Sequence, residues 1–238
     1  MTPHENEFAE SFLQGRVLFV DKPLHWTSFD AVNKIKSLLR YRQGIKKIRV
    51  GHAGTLDPLA TGLLIICTGK ATKQIDTYQG MDKTYTGVFV IGQTTPSSDL
   101  ETTPGEAKPV GHITPGDLEK AAQALTGPQQ QTPPLYSAKK INGERAYHHA
   151  RQGLQTQMQP RDIRVESFEI TRVNLPEVHF RITCSKGTYI RSLARDFGDI
   201  LQTGAYLGAL RRTHIGEFSV DNAWKMDDLS EAIIQGNL

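Results

Sequence analysis

Only two of the 238 residues are cysteine, too few to form a metal site by themselves. Cys67 and Cys184 lie inside the apolar stretches LLIICTG and FRITCSKG and read as small buried hydrophobes. No apolar run approaches the length of a bilayer span, and the opening MTPHENEFAESF has neither the basic nor the apolar region of a secretory signal. A cytoplasmic protein with no membrane partner is expected. No Gly-rich loop ends in Gly-Lys-Ser/Thr, no Gly-x-Ser-x-Gly elbow presents a serine, and no second Cys or His stands at metal-ligand spacing. His148 and His149 are adjacent, about 100° apart if helical, and do not clamp one ion. Neither metal nor cofactor is expected, and the chain carries no internal repeat or low-complexity tract.

What is present is an ordinary globular composition, 38% hydrophobic and 22% charged, with no linker to divide it. The net charge of +3 is too small to identify a partner, but its distribution is uneven. KIKSLLRYRQGIKKIR, from Lys34 to Arg49, is basic throughout and contains no acid. Such a stripe suits a phosphate backbone, or equally a solvated helix face and loop.

The pattern predicts a strand over RVLFV, then a helix capped by Thr27 or Ser28, with Asp30 in its first turn and Phe29, Val32, Ile35 and Leu38 or Leu39 at helical spacing. TYTGVFVIG reads as a strand, residues 96–117 as loop, and DLEKAAQALTG as a helix stopping at Gly127-Pro128. VHFRITC alternates as a strand. In TYIRSLARDFGDIL the period changes, so Ile190, Leu193, Phe197 and Leu201 share a helical stripe, which Gly204 is placed to end. YLGALRRTHIGEF is a last strand. Strands interleaved with helices argue for an α+β fold, a mixed and largely antiparallel sheet covered by helices.

GHAGTLDPLATGLL, residues 51–64, places one carboxylate, Asp57, before a proline. An Asp-Pro pair in isolation reads as a helix start, with Asp57 at the N-cap and Pro58 at the first helical position. The alternative is chemical. A lone carboxylate cannot pair an acid with a base as glycosidases do. Asp99, in TTPSSD, is the nearest second carboxylate and reads more simply as a loop cap. Held ionised by a nearby Arg, a single Asp can act as a nucleophile. Tyr side chains supply a surface on which a base stacks, and basic groups hold a nucleic-acid backbone.

The sequence resembles the TruB family of tRNA pseudouridine synthases. The motifs carrying the resemblance run in order through GRVLFVDKPLHWTSFDAV, VGHAGTLDPLATGLLIICTGKATK, DKTYTGVFVIGQTTPSSD, QQTPPLYSAKKINGERAY, CSKGTYIRSLARDFG and LGALRRTHIGEFSV. The resemblance implies an enzyme that isomerises uridine 55 in the T loop of tRNA without a cofactor. Asp57 corresponds to the nucleophile, attacking either the anomeric carbon or carbon 6 of uracil, and Arg191 to the Arg that pairs with it. Tyr85 corresponds to the aromatic stacked on the target base, Tyr189 to the pocket Tyr beside the Arg, Leu210 to an apolar wall and His52 to the His that enters the T loop. Lys22 lies in the Asp-Lys-Pro motif, where it serves structure or touches RNA. Lys73, Lys139, Lys140 and Arg145 are placed to hold the RNA backbone. Read alone, Tyr85 also suits a strand and Leu210 a core.

Many bacterial members of that family continue into a small RNA-binding domain similar to the PUA fold. Here the quoted match stops near Ala223, and KMDDLSEAIIQGNL is too short for such a domain. One catalytic domain over 1–238 is expected, with a basic RNA-binding insertion at about 129–159 and no separate C-terminal RNA-binding domain. From about Gln130 to Gly153 this insertion is expected to close over the RNA. The expected partner is the T stem-loop of tRNA, bound by a monomer. A rival reading is an RNA-binding or tRNA-folding protein whose catalysis is secondary; another is a glycoside-cleaving enzyme, which lacks a convincing second carboxylate.

Overall fold

The computed structural model describes residues 3–137, 140–141, 144–145 and 158–238. The chain divides into two compact units, Met1–Thr84 with Arg211–Leu238, and Tyr85–Leu210. In chain order the elements are α1 (Pro3–Gly15), β1 (Val17–Lys22), α2 (Ser28–Tyr41), β2 (Val50–His52), β3 (Ala60–Thr68), a 3₁₀ segment Gly69–Gln74, α3 (Ile75–Gly80) and β4 (Lys83–Ile91). There follow α4 (Pro115–Ala124), β5 (Gly127–Gln131), β6 (Lys140–Ile141), β7 (Glu144–Arg145), β8 (Arg161–Asn174) and β9 (Glu177–Cys184). The chain continues through α5 (Ile190–Ile200), β10 (Ala205–Ile215), β11 (Phe218–Ser219), β12 (Trp224–Lys225) and α6 (Met226–Gln235).

In the first unit the strand order is β12-β1-β3-β10, with β2 also pairing β3 and β11 pairing β10. β1 and β3 are antiparallel, from Val17 opposite Cys67 to Lys22 opposite Gly62, whereas β12 lies parallel to β1. Because side chains alternate along a strand, β3 buries both faces. Leu64 and Ile66 pack with Phe8 and Phe12 of α1, Ile35 and Leu39 of α2, and Leu229 and Ile233 of α6. Leu63, Ile65 and Cys67 pack with Ala71, Ile215 and Val220 on the other side. This double burial is why LLIIC is apolar at every position.

α2 begins at the expected cap: Thr27 accepts from the Asp30 amide, and the Asp30 carboxylate accepts from the Thr27 amide. α1 was not expected from the sequence, although Phe8 and Phe12, one turn apart, mark its buried face. The Arg16 guanidinium lies 5.4 and 5.0 Å from those two rings and donates to the Leu238 carbonyl, which ties α1 to the last residue. α6 likewise went unread.

The second unit has the order β10-β4-β9-β8-β5. Phe89, Phe168, Phe180 and Phe197 form its aromatic centre, with Phe89 to Phe180 centroids 4.3 Å apart and Phe168 to Phe197 centroids 5.6 Å apart. On β9, Val178, Phe180, Ile182 and Cys184 are buried as the alternation predicts. Ile190, Leu193, Phe197 and Leu201 are likewise buried along and just beyond α5. The mixed, largely antiparallel sheet with helices is the expected fold class.

Three local expectations need correction. The loop before α4 ends at Thr114, which forms a second capping box with Asp117, so the helix starts at Pro115, inside the expected loop. Gly127-Pro128 does more than stop this helix, because it opens β5, paired antiparallel to β8. Gln129, Gln130 and Gln131 stand opposite Ile163, Asp162 and Arg161, so the sheet takes residues assigned to the insertion. Of the remaining insertion, residues 138–139, 142–143 and 146–157, including Lys139, His148 and His149, lie outside the described residues. Among the described residues, no helix is long and apolar enough to cross a membrane.

Candidate functional site

Asp57 does not start a helix. Its carbonyl accepts the Ala60 amide at 3.0 Å, so Asp57-Pro58-Leu59-Ala60 is a β-turn leading into β3. Asp first and Pro second are favoured in a type I turn, because Pro fixes the required φ, and the same preference resembles a helix start in sequence. The loop is fastened on both sides of the carboxylate. The Ser28 hydroxyl accepts the Leu56 amide at 2.8 Å and donates to the Leu56 carbonyl at 3.2 Å. The His25 amide donates to the Pro58 carbonyl at 2.8 Å, with His25 held at φ 66°. Ser28, read as an alternative cap, therefore grips the Asp57 loop while Thr27 caps α2.

Lys22 is fully buried, with its ammonium donating to the carbonyls of Pro23 at 2.9 Å and Trp26 at 2.6 Å. It braces the turn that carries His25. Burial pushes its pKa down to about 8; the Asp57 charge is foremost among those opposing the shift, while Arg212 adds to it. Arg212, buried, donates from Nε to the Leu63 carbonyl at 2.8 Å and from a terminal nitrogen to the Gly54 carbonyl at 3.1 Å. It thereby spans β3 and the loop before Asp57. His52, at the end of β2, is half-buried, and burial, together with the Arg212 cation, lowers its pKa against a hydrogen bond to the Gly54 backbone. Lys73 is exposed on the 3₁₀ segment.

The second unit holds Tyr85, Tyr189, Arg191 and Leu210. Tyr85 is buried on β4, and Leu210 is half-buried on β10. Tyr189 is the residue just before α5. The side-chain amide of the buried Gln131 accepts its N–H at 2.8 Å and donates to its C=O at 3.1 Å. The Arg161 guanidinium stacks 4.5 Å from its ring centroid. Arg191, in the first turn of α5, is 4% exposed and pairs with the buried Asp99 at 3.5 Å. Asp99 also accepts the Glu101 amide at 2.9 Å, so the expected loop cap is real but not its whole role. Of Arg145 only the backbone is described, opposite Lys140 in the β6-β7 pair.

Sequence reasoning missed Gln131, Arg161 and Arg212, and gave Asp99 no part beside Arg191. Gln131 and Arg212 carried a faint signal, polar groups at buried positions of strands, where such groups require dedicated partners.

Comparison with known proteins gives the context for this site. The model of the TruB family pseudouridylate synthase N-terminal domain matches residues 41–190. The model of the tRNA pseudouridylate synthase B C-terminal domain matches residues 191–237, past the Ala223 at which the quoted motifs stop. The chain is 52% identical over 224 residues to a tRNA pseudouridine synthase B of Flavobacterium johnsoniae, covering 94% of this chain and 95% of that protein. It is 46% identical to one of Phocaeicola vulgatus, covering 94% and 96%. A chain in the crystal structure of a Cbf5-Nop10-Gar1 complex is similar with a TM-score of 0.70 and 26% identity over 94% of this chain, which spans 56% of that one. The chain belongs to the TruB family of pseudouridylate synthases.

Proposed function

We infer that the chain is a tRNA pseudouridine synthase that isomerises uridine 55 in the T loop. The observation that carries the reading is family membership along nearly the whole chain, with Asp57 of the GTLDP motif presented by a loop fastened at Leu56 and Pro58. Asp57 acts as the nucleophile, at the anomeric carbon or at carbon 6. The bond from the sugar to N1 of uracil breaks, the base turns, carbon 5 bonds to the anomeric carbon, and the bond that Asp57 formed is released. The proton on carbon 5 leaves and N1 takes up a proton, so substrate and product are isomers and nothing is consumed. Tyr85, Tyr189, Arg191 and Leu210 form the substrate-binding set.

A base inside a folded loop is out of reach until it is flipped, at a few kcal/mol. His52 offsets part of this by entering the vacated space, and its lowered pKa suits a neutral, stacking imidazole. Lys73, Lys139 and Arg145 hold the backbone, while Lys22 acts through the turn it braces. The enzyme works as a monomer in the cytoplasm.

The test incubates the protein and its Asp57→Asn variant with an unmodified T-arm stem-loop and with full tRNA, mapping pseudouridine at single-nucleotide resolution. Product at the T-loop uridine from the parent alone, with binding retained in the variant, supports the reading. Binding by both proteins with no product from either favours the RNA-folding rival, and release of free uracil favours a glycoside-cleaving enzyme.

A further inference from the structure

The run from Lys34 to Arg49 takes no part in the chemistry above, and every cation in it is exposed. Five of them, Lys36, Arg40, Lys46, Lys47 and Arg49, line one cleft of the first unit, with Ile45 and Ile48 as its apolar lining. Lys36 and Arg40 are one turn apart on α2 and so share a face. The segment bearing the others is fixed at its backbone. The Gln43 side chain donates to the Ile233 carbonyl, the Ile45 amide to Leu39, and the Arg49 carbonyl accepts from Gly69. Arg40 also lies 5.3 Å from the Tyr41 ring centroid. Among the described residues none of the five is in an ion pair. The acids Glu7 and Glu10 line the neighbouring groove, which shares only Ile45, Lys46 and Lys47 with this cleft.

The cleft's position is set by the elements that hold the catalytic loop. Ser28, which grips Leu56, opens the helix on which Lys36 and Arg40 stand about 12 and 18 Å further along at 1.5 Å per residue. Arg49 leads through β2 to His52 in about 10 Å of extended chain. The cleft wall offers cations but no aromatic ring for a base, which suits phosphate contact rather than base readout.

We propose that this cleft binds the sugar-phosphate backbone of the T stem, the double-helical segment adjoining the target loop, and supplies affinity without entering the reaction. The inference rests on the tRNA reading above.

The full chain carrying K36Q, R40Q, K46Q, K47Q and R49Q together is compared with the parent, alongside a milder K46Q/K47Q variant in case the fivefold change impairs folding. Affinity for an isolated T-arm stem-loop and for full tRNA is measured from 50 to 200 mM salt, with single-turnover rates at saturating RNA. Each lost phosphate contact should make the slope of log affinity against log salt shallower by about 0.9. A change of about 2 to 4 is expected for the fivefold variant and about 1 to 2 for the double, with at least tenfold weaker binding by the fivefold variant and saturating rates within twofold of the parent. Unchanged slope and affinity in both variants overturn the proposal. Loss of affinity for tRNA but not for the stem-loop overturns the assignment to the T stem. A parent that makes no pseudouridine fails the functional reading; an active parent matched by its variants in binding fails this inference alone.

Discussion

Nε of Arg191 stands 3.5 Å from Oδ2 of Asp99, with both residues almost excluded from solvent. The Arg191 guanidinium also donates to the Ser97 carbonyl at 3.4 Å, so the 95–102 loop and the first turn of α5 meet through this one side chain. Removing the Asp99 carboxylate takes an opposite charge from beside a buried cation whose desolvation it helps to offset. Asp99→Ala should destabilise the protein by about 3 to 5 kcal/mol in urea unfolding and reduce pseudouridine formation more than tenfold. Stability and rate equal to the parent's would show that the pair does not hold Arg191.

Ser28 offers a cleaner probe of the Asp57 loop, because Thr27 caps α2 independently. Ser28→Ala leaves the buried Leu56 amide and carbonyl without the hydroxyl that serves both. An unsatisfied buried group costs about 1 to 3 kcal/mol, and the loosened loop should lower the single-turnover rate about tenfold while tRNA affinity stays within threefold. A loss of affinity with an unchanged rate would contradict this division of roles.

How far the sequence revealed these relationships depended on whether the signal was local. α2 was legible because its capping box and apolar spacing sit within one segment, and β9 because its alternation is uninterrupted. β8 went unread, since register shifts between Val165 and Ser167 and between Ile170 and Arg172 break its period. The Asp57 turn was ambiguous because β3, buried on both faces, has no period to distinguish it from a helix. The pairing of Asp99 with Arg191 joins distant parts of the chain, and nothing in TTPSSD announces a buried partner. Gly62 is a similar case. Its φ of 105° and the Arg212 carbonyl, 2.2 Å from where a Cβ would stand, require glycine for reasons that lie on β10.

Lys22 makes stability depend on pH in the alkaline range. Its pKa is lowered from 10.5 to about 8 in the folded chain, so between those values the unfolded chain binds more protons than the folded one. Stability contributed by this group therefore rises as pH increases from about 8 to 10.5, by up to about 3 kcal/mol at 1.36 kcal/mol per unit. The stability difference between the parent and Lys22→Met, measured by urea unfolding at pH 7.5 and 10.5, should move in the parent's favour by most of that amount. A difference that stays flat would show that Lys22 titrates in the folded state as it does in water.

Tyr189 is held at two points that can be separated. Gln131 fixes its backbone just before α5, whereas Arg161 faces its ring at 4.5 Å. Gly187, at φ 81°, allows the chain to pass this guanidinium, for a Cβ there would lie 3.2 Å from it. A cation over an aromatic face contributes about 0.5 to 2 kcal/mol, and a double-mutant cycle of Arg161→Met and Tyr189→Leu should return a coupling in that range. The two contacts should also differ in kinetics. Gln131→Ala frees the backbone that leads into Arg191, so it should reduce the single-turnover rate at least tenfold. Arg161→Met leaves that backbone in place and should change the rate less than threefold. Equal effects of the two substitutions would mean that ring and backbone are not held independently.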